Sequence, residues 1–297
     1  MMSASFLTVV LERAFNMRDG FGREIDYMRI SVIDSCNLNC YYCNPCDNNE
    51  HCHALNILSV KEVLCIVRAA TRLGIKHFRL TGGEPLLHPQ LDEMVLQIKK
   101  IPGVSSVSLT TNAVLLAQHA KWLKEAGIDS INVSLDTIDA SEYERITKKP
   151  LLEEVKHGIN AAIECGIRVK INVVLTPQTD VVALTRYVAK KGTDIRFIEM
   201  MPVGEGHTNG VEPYKKVIGT LSKLYGEPCR INTEKTKEIN SGNDKRKIPD
   251  NGPAEYYIFP ELGIRVGLIQ AIHGKFCDTC NRIRVTADGR LMPCLGS

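Results

Sequence analysis

Two groups of three cysteines stand near the two ends of this 297-residue chain. They comprise, in chain order, Cys36, Cys40 and Cys43, then Cys277, Cys280 and Cys294. The first group has the spacing C-x3-C-x2-C, so a short loop can turn its three thiolates toward one centre. Iron–sulfur clusters are usually held by four thiolates. Each triplet therefore predicts a cluster with one iron left open, and an open coordination position is where catalytic metal sites take a ligand.

A structural zinc site is the alternative for the first triplet. C-x2-C pairs are common in zinc sites, which need four ligands. Cys46 and Cys52, with His51 and His53, could supply additional ligands. Cys46 also forms a second C-x2-C pair with Cys43, so the spacing alone leaves open which cysteine is spare.

Two arginines follow Cys280 at alternate positions, Arg282 and Arg284. In an extended segment alternate side chains point to one face, and planar guanidinium groups suit multidentate binding of phosphate. The arginine pair beside a cluster predicts a phosphorylated substrate. The alternative is a pair of solvated surface charges, the usual state of exposed arginines.

Composition favours reduced thiols in a cytoplasmic protein. The chain has 11 cysteines, an odd number, and residues 1–15 lack the basic start and long apolar centre of a signal peptide. A disulfide framework is therefore the poorer interpretation. The net charge of +3 does not indicate a nucleic-acid or membrane-surface protein, and no apolar run approaches the roughly 18 residues of a membrane span.

The elements that must position these residues read as six successive strand–helix units. The predicted strands are 28–33, 76–80, 104–109, 131–135, 168–175 and 195–198. The predicted helices are 60–73, preceded by Ser59 as N-cap with Glu62 three residues on, then 91–100, 115–126, 152–165 and 181–191. Such alternation implies parallel strands with helical crossovers. We expect an α/β fold, an incomplete (β/α)6 TIM-like barrel, with an open doubly wound sheet as the alternative.

Three regions are expected along the chain. Residues 1–21 form an N-terminal extension, 22–201 the partial barrel, and 202–297 a C-terminal cap that carries the second triplet. The cap contains a predicted helix at 211–225 and short strands at 256–259 and 264–269. Barrel folds of this kind place their chemistry at the carboxyl ends of the strands, where the first triplet falls.

The spacing of the first triplet, with Tyr42 directly before its third cysteine, resembles the radical S-adenosylmethionine (radical SAM) superfamily. The stretch Gly82-Gly83-Glu84-Pro85 after the second strand strengthens the resemblance. It selects Cys36, Cys40 and Cys43 as ligands of a [4Fe-4S] cluster whose open iron binds S-adenosylmethionine. It also implies cofactor contacts from a set of four residues, namely Tyr42, Gly83, Ser134 and Met201.

The second triplet narrows the resemblance to the molybdenum cofactor biosynthesis protein A family, the GTP 3′,8-cyclases. The motif C-x2-C-N-R-x-R at 277–284 carries it, together with Thr110-Thr111-Asn112 and Arg196-Phe197-Ile198-Glu199. This resemblance implies a lyase that cyclises GTP, with a second [4Fe-4S] cluster holding the guanine end. The substrate contacts that it implies are Arg29, Arg79, Thr110, Lys170, Arg282, Ile283 and Arg284.

The same resemblance implies a homodimer, a reducing electron donor and a downstream partner, cyclic pyranopterin monophosphate synthase. The family continues past its sixth cysteine to a tail ending in two glycines, whereas this sequence stops at Ser297. Two further hypotheses remain: a peptide-modifying radical SAM enzyme with an auxiliary cluster, and an inactive cluster-bearing binding protein.

Overall fold

A computed structural model of the chain describes residues 17–43, 56–202, 210–231 and 252–294. Within these residues the strands form one sheet. They are β1 (Tyr27–Ser31), β2 (His77–Thr81), β3 (Ser106–Thr111), β4 (Ser130–Ser134), β5 (Val169–Val174), β6 (Asp194–Ile198), β7 (Cys229–Ile231), β8 (Glu255–Ile258), β9 (Arg265–Ile269), β10 (Arg282–Val285) and β11 (Leu291–Met292).

Helices follow most of the parallel strands. They are α1 (Val60–Arg72), α2 (Leu91–Lys99), α3 (Leu116–Glu125), α4 (Ala140–Thr147), α5 (Leu152–Glu164), α6 (Val181–Lys190) and α7 (Gly219–Tyr225). The predicted start of α1 is confirmed: the Ser59 hydroxyl accepts a hydrogen bond from the Glu62 N–H, and the Glu62 carboxylate accepts one from the Ser59 N–H at 2.8 Å. Together these two bonds form a capping box.

The order of the strands in the sheet distinguishes between the two predicted folds, the partial barrel and the doubly wound sheet. Strands β1 to β6 lie side by side in chain order and are all parallel. A doubly wound sheet reverses its strand order at a switch point, and this sheet does not. The partial-barrel prediction is confirmed, and the doubly wound alternative is wrong.

The C-terminal strands extend both ends of this barrel wall. β10 lies parallel to β1 and carries β11 outside it, while β9 lies parallel to β6 and carries β8 and β7. Non-local pairing of this kind is invisible to sequence periodicity, which shows strands but not their neighbours. The division at residues 21/22 and 201/202 stays a prediction.

The two faces of the barrel sheet differ in character. One face is apolar: Ile30, Leu80 and Leu109 are fully buried in a core shared with the helices. The residues alternating with them point to the other side. We call that side the polar face, because on β1, β2 and β3 it carries Arg29, Arg79 and Ser108.

Helix α4 is an element that the sequence patterns did not predict. Asp139 caps it by accepting a hydrogen bond from the Glu142 N–H at 2.8 Å. The helix ends at Lys148 in a left-handed conformation, with φ of 61°. In the described residues no helix is long and apolar enough to cross a membrane.

Candidate functional site

Strand register brings three arginines side by side on the polar face. Arg284 of β10 pairs with Arg29 of β1, and Arg29 pairs with Arg79 of β2. Arg282 lies two residues before Arg284 on β10 and pairs with Tyr27 of β1. We call Arg29, Arg79, Arg282 and Arg284 the arginine layer, and it confirms that the sequence-predicted pair at 282 and 284 shares one face.

Burial and mutual repulsion disfavour the charged forms of the arginine layer. Burial, and then the neighbouring Arg284, lower the pKa of Arg29 to about 9. Burial also lowers the pKa of Arg284, with Arg282 adding to the decrease. The Nε atom of Arg29 is buried and has no hydrogen-bond partner within the described chain. Buried charges that repel one another favour an anion between them, and guanidinium groups bind phosphate well.

Tyr27 and Thr110 hold Arg79 in this layer. Arg79 Nε donates to the Tyr27 hydroxyl, and its Nη1 donates to Thr110 Oγ1 at 3.3 Å. Burial by itself raises the pKa of Tyr27, but Arg79 and Arg29 outweigh it and leave the pKa lowered. The guanidinium group therefore has a fixed orientation toward the barrel interior.

The polar face continues across β4, β5 and β6. Asn132 of β4 pairs with Lys170 of β5. Two residues further along β5, Asn172 pairs with Arg196 of β6. Arg196 is buried and its Nε donates to Asn172 Oδ1 at 2.9 Å. A Cβ at residue 267 would lie 2.8 Å from Arg196 Cγ, so Gly267 leaves the space that this side chain fills.

Arg196 is a candidate that the sequence analysis did not assign to the site. The signal was present: Asp194 and Arg196 alternate along β6 as Arg282 and Arg284 alternate along β10. A buried charged residue in a barrel strand is rarely there for packing alone, because an unpaired buried charge is costly.

The loop that carries Cys36, Cys40 and Cys43 follows β1 and is fastened at several points. The Tyr42 hydroxyl donates to Asp136, and the other Asp136 oxygen accepts the Val174 N–H at 2.7 Å. Burial raises the pKa of Asp136 to about 6, against the effect of these two hydrogen bonds. Tyr42 is thus tied to the ends of β4 and β5.

Helix α4 and the end of β3 provide the remaining anchors of this loop. The N–H groups of Asn39 and Tyr41 donate to the carbonyls of Thr147 and Ile146 at 3.0 and 3.1 Å. Asn112 Nδ2 donates to the side chain of Asn37 at 2.7 Å. The last turn of α4 therefore supports the cysteine loop through its free carbonyls, which helix ends leave without intrahelical partners.

The glycine turn after β2 lies directly against the start of the cysteine loop. The Gly83 N–H donates to the Ile33 carbonyl at 2.7 Å. A Cβ on Gly83 would lie 2.1 Å from the Ser35 carbonyl oxygen, so only glycine permits this approach. The buried Glu84 carboxylate accepts from the Thr111 hydroxyl at 2.7 Å and from two backbone N–H groups. Glu84 thus joins the ends of β2 and β3.

The pKa values of the three thiols in this loop are raised in the ligand-free chain, so cluster binding would have to displace their protons. Burial, followed by Asp136 and the other two thiols, raises the pKa of Cys40 to about 12. Burial also raises the pKa of Cys36 and Cys43. The thiols of Cys36 and Cys43 both contribute to the raised pKa of Cys40, as expected for three cysteines on one short loop. Within the described ranges no three His, Cys, Asp or Glu side chains are grouped to hold a single ion; a cluster instead bonds each cysteine to a different iron.

The second triplet lies at the opposite end of the barrel strands. Cys277 and Cys280 precede β10, which runs parallel to β1, whereas the first triplet follows β1. Cys294 follows β11, which runs back antiparallel to β10. Arg23 fixes this region by donating to the Cys277 carbonyl at 2.5 Å. The polar face therefore extends between the two triplets.

Family comparisons agree with this two-part site. Residues 30–184 match the radical SAM superfamily, and residues 193–297 match the Molybdenum Cofactor Synthesis C family. GTP 3′,8-cyclase of Clostridium perfringens strain SM101 is 37% identical over 94% of this chain and 83% of its own length. The enzyme of that name from Pelotomaculum thermopropionicum is 38% identical, over 94% of this chain and 84% of its own length. The chain belongs to the GTP 3′,8-cyclase family.

Solved radical SAM structures share the fold at low sequence identity. Streptococcus suis SuiB bound to S-adenosylmethionine superposes with a TM-score of 0.59 and 17% identity, over 91% of this chain and 60% of that one. The anSMEcpe structure with bound AdoMet gives a TM-score of 0.55 and 22% identity, over 67% of this chain and 60% of that one. These likenesses support the fold of this GTP 3′,8-cyclase family member.

The remaining residues predicted for the family's site lie in different settings. Ser134 is exposed at the end of β4, and Met201 is partly buried after β6. Ile283 alternates with the two arginines of β10, and its side chain packs on the apolar core instead of joining the polar face. Cys46 and Cys52 lie outside the described residues. The ligand and substrate roles of the site residues stay predictions.

Proposed function

We propose that this chain is a radical SAM lyase that converts GTP to (8S)-3′,8-cyclo-7,8-dihydroguanosine 5′-triphosphate, the first step of molybdenum cofactor biosynthesis. Membership of the GTP 3′,8-cyclase family supports this. One structural observation carries it: a cationic polar face extends between two cysteine triplets at opposite ends of the barrel strands.

In this proposal Cys36, Cys40 and Cys43 hold the first [4Fe-4S] cluster. S-adenosylmethionine would be held at this cluster, and the residues predicted to contact it are Tyr42, Gly83, Ser134 and Met201. When bound, the cluster and cofactor supply the electron and the organic radical that removes a hydrogen from the ribose. The chain's own contribution is to hold the loop in place, through the bond from the Tyr42 hydroxyl to Asp136.

Cys277, Cys280 and Cys294 would hold a second [4Fe-4S] cluster, at which the guanine end of GTP would be bound. The nucleotide then lies along the polar face, where its negative charge meets the arginine layer, Lys170 and Arg196. Thr110 contributes by fixing Arg79. Preorganised cations of this kind stabilise bound phosphate without rearranging when the ligand arrives. Arg79, Lys170 and Arg196 are buried in the ligand-free chain, so the surface proposed to hold the nucleotide is already shielded from bulk water.

Further parts of the proposal concern the cellular setting. The use of cysteines as cluster ligands, as proposed here, suits a reducing cytoplasm. A reducing electron donor must reach the first cluster. The cyclised nucleotide passes to cyclic pyranopterin monophosphate synthase, and the working unit is a homodimer.

Anaerobic reconstitution with iron and sulfide tests the proposal. We expect about eight irons per chain, as two four-iron clusters require. With S-adenosylmethionine, reductant and GTP, we expect 5′-deoxyadenosine and a cyclised nucleotide detectable by mass spectrometry. C40A should abolish both products. C229A, at an exposed cysteine of β7 outside both triplets, should retain them.

The substrate assignment fails if eight irons bind and GTP changes neither the rate nor the amount of 5′-deoxyadenosine formed. A rise in 5′-deoxyadenosine with a peptide, in place of GTP, would instead favour a peptide-modifying enzyme. GTP binding without any cofactor cleavage would favour an inactive binding protein.

A further inference from the structure

His77 lies on the polar face of β2, two residues before Arg79, and has no assigned role. Its strand partners are Tyr27 on β1 and Ser106 on β3. The rings of His77 and Tyr27 stack with centroids 6.3 Å apart. Arg282 pairs with Tyr27 from the other side. His77 therefore lies in the same row of the polar face as Arg282, which is a member of the arginine layer.

The hydrogen bond of the His77 ring permits both of its charge states. Nδ1 lies 2.8 Å from Ser106 Oγ. A serine hydroxyl can donate to a neutral ring nitrogen or accept from a protonated one. This bond therefore persists when the ring gains a second proton. Nε2 makes no hydrogen bond to the described part of the chain, so it is available to a ligand.

Charged groups around His77 come from three elements. Lys76 directly precedes β2, Asp26 directly precedes β1, and Asp129 directly precedes β4. Burial lowers the pKa of His77 below its ordinary value, Lys76 adds to the decrease, and the two aspartates oppose it. Arg79 lies on the same face of the same strand. A ring in this setting is mostly neutral near pH 7, and a nearby anion would favour its charged form.

We propose that His77 is a titratable binding group for the phosphates of the nucleotide, and that binding of this polyanion is accompanied by uptake of a proton at the His77 ring. The inference rests on the proposed GTP substrate. It gives the polar face one cation that forms when the ligand binds, in addition to the permanent charges of the arginine layer.

Linkage sets the expected size of the effect. If binding takes up one proton, the affinity falls as pH rises through the range in which His77 is neutral when free and charged when bound. The decrease is at most about tenfold per pH unit. H77K carries a fixed positive charge and should remove this contribution to the pH dependence. H77Q cannot become charged and should bind GTP about tenfold more weakly at pH 6, the size of one charge-assisted hydrogen bond.

The experiment measures the dissociation constant of GTP by anaerobic calorimetry between pH 6 and pH 8.5. It uses the full chain with reconstituted iron and no S-adenosylmethionine, so no turnover occurs. Ionisation of GTP itself is common to all variants and cancels in their ratios. H157Q is the matched control, because His157 is exposed on α5, outside the barrel interior. We expect the wild-type to H77Q affinity ratio to approach one by pH 8.5.

Equal pH dependence of wild type and H77Q would overturn the inference while leaving GTP as the substrate. A proton uptake on binding that is the same in wild type and H77Q, from heats measured in buffers of different ionisation enthalpy, would also overturn it. If GTP binds neither wild type nor any variant in iron-loaded protein, both the inference and the proposed function fail.

Discussion

Arg29 illustrates how single residues trade stability against binding in this chain. Its guanidinium group is surrounded by three other arginines, and its Nε is buried without a partner in the described structure. Removing one member of a repelling, desolvated group relieves an energetic cost in the ligand-free chain. The same group is placed to bind phosphate once the anion is present.

Arg29→Met should therefore stabilise the ligand-free protein and weaken its affinity for GTP. We expect the free energy of unfolding to rise by about 1–2 kcal/mol and the dissociation constant to rise at least about tenfold. Anaerobic urea unfolding and calorimetry measure the two effects. R68M, at an exposed arginine of α1, should change neither. A loss of stability in R29M would contradict the prediction, because it would mean that nearby negative groups already compensate the charge of Arg29.

Tyr42 offers a second test at the scale of one residue. Tyr42→Phe removes the hydrogen bond to Asp136 and leaves a desolvated carboxylate with one partner fewer. The free energy of unfolding should fall by about 1–2 kcal/mol. Tyr187→Phe is the control, because the buried Tyr187 hydroxyl has no hydrogen-bond partner in the described residues. A loss in Y187F equal to that in Y42F would refute the special role of the Asp136 bond.

At the scale of elements, the first cysteine loop depends on its neighbours more than on its own sequence. The glycine turn after β2 approaches it so closely that a Cβ has no room, and α4 supplies two carbonyls to its N–H groups. A loop that must hold three thiols at fixed positions gains precision from such support.

Gly83→Ala should displace this loop, because the new Cβ would lie 2.1 Å from the Ser35 carbonyl oxygen. We expect iron content to fall from about eight to about four per chain, together with loss of S-adenosylmethionine cleavage. Gly219→Ala is matched in chemistry but meets nothing within 4 Å and lies in α7. It should keep its iron and gain up to about 1 kcal/mol in stability. Full iron loading of G83A would mean that the loop adapts.

On the scale of the whole molecule, the barrel separates the two triplets along its strands. A strand of five residues, such as β1, spans about 16 Å at about 3.3 Å per residue. A nucleotide lying on the polar face can therefore reach toward both ends. The C-terminal strands make this possible, because β10 joins the second triplet to the same wall as the first.

The separation predicts that each triplet can be removed alone. A C277A/C280A double variant should keep about four irons and still cleave S-adenosylmethionine slowly, but it should form no cyclised nucleotide. C36A/C40A should also keep about four irons, yet cleave no cofactor while still binding GTP through the arginine layer. Iron analysis, product analysis and calorimetry distinguish the variants. Loss of all iron from either one would argue against two independent sites.

The sequence by itself determined the local features of this protein. The capping box of α1, the strand–helix alternation and the position of Cys36 just after a strand all follow from interactions between residues close in the chain. The alternation of Arg282 and Arg284 predicted one shared face for the same reason. Helix α4 was missed although Asp139, with Glu142 three residues later, carries an N-terminal helix signal.

Only the tertiary structure decided which strands are neighbours. The pairing of β10 with β1 aligns Arg284 with Arg29, although they are far apart in the chain. The pairing of β5 with β6 adds Arg196 to the polar face. On β10 the Ile283 side chain points to the apolar core, so it does not belong to the polar face. Periodicity reports the two faces of one strand, but strand order and register depend on packing across the whole sheet. Most residues of the site could therefore be predicted individually from the sequence. Their arrangement as one cationic surface could be seen only in the tertiary structure.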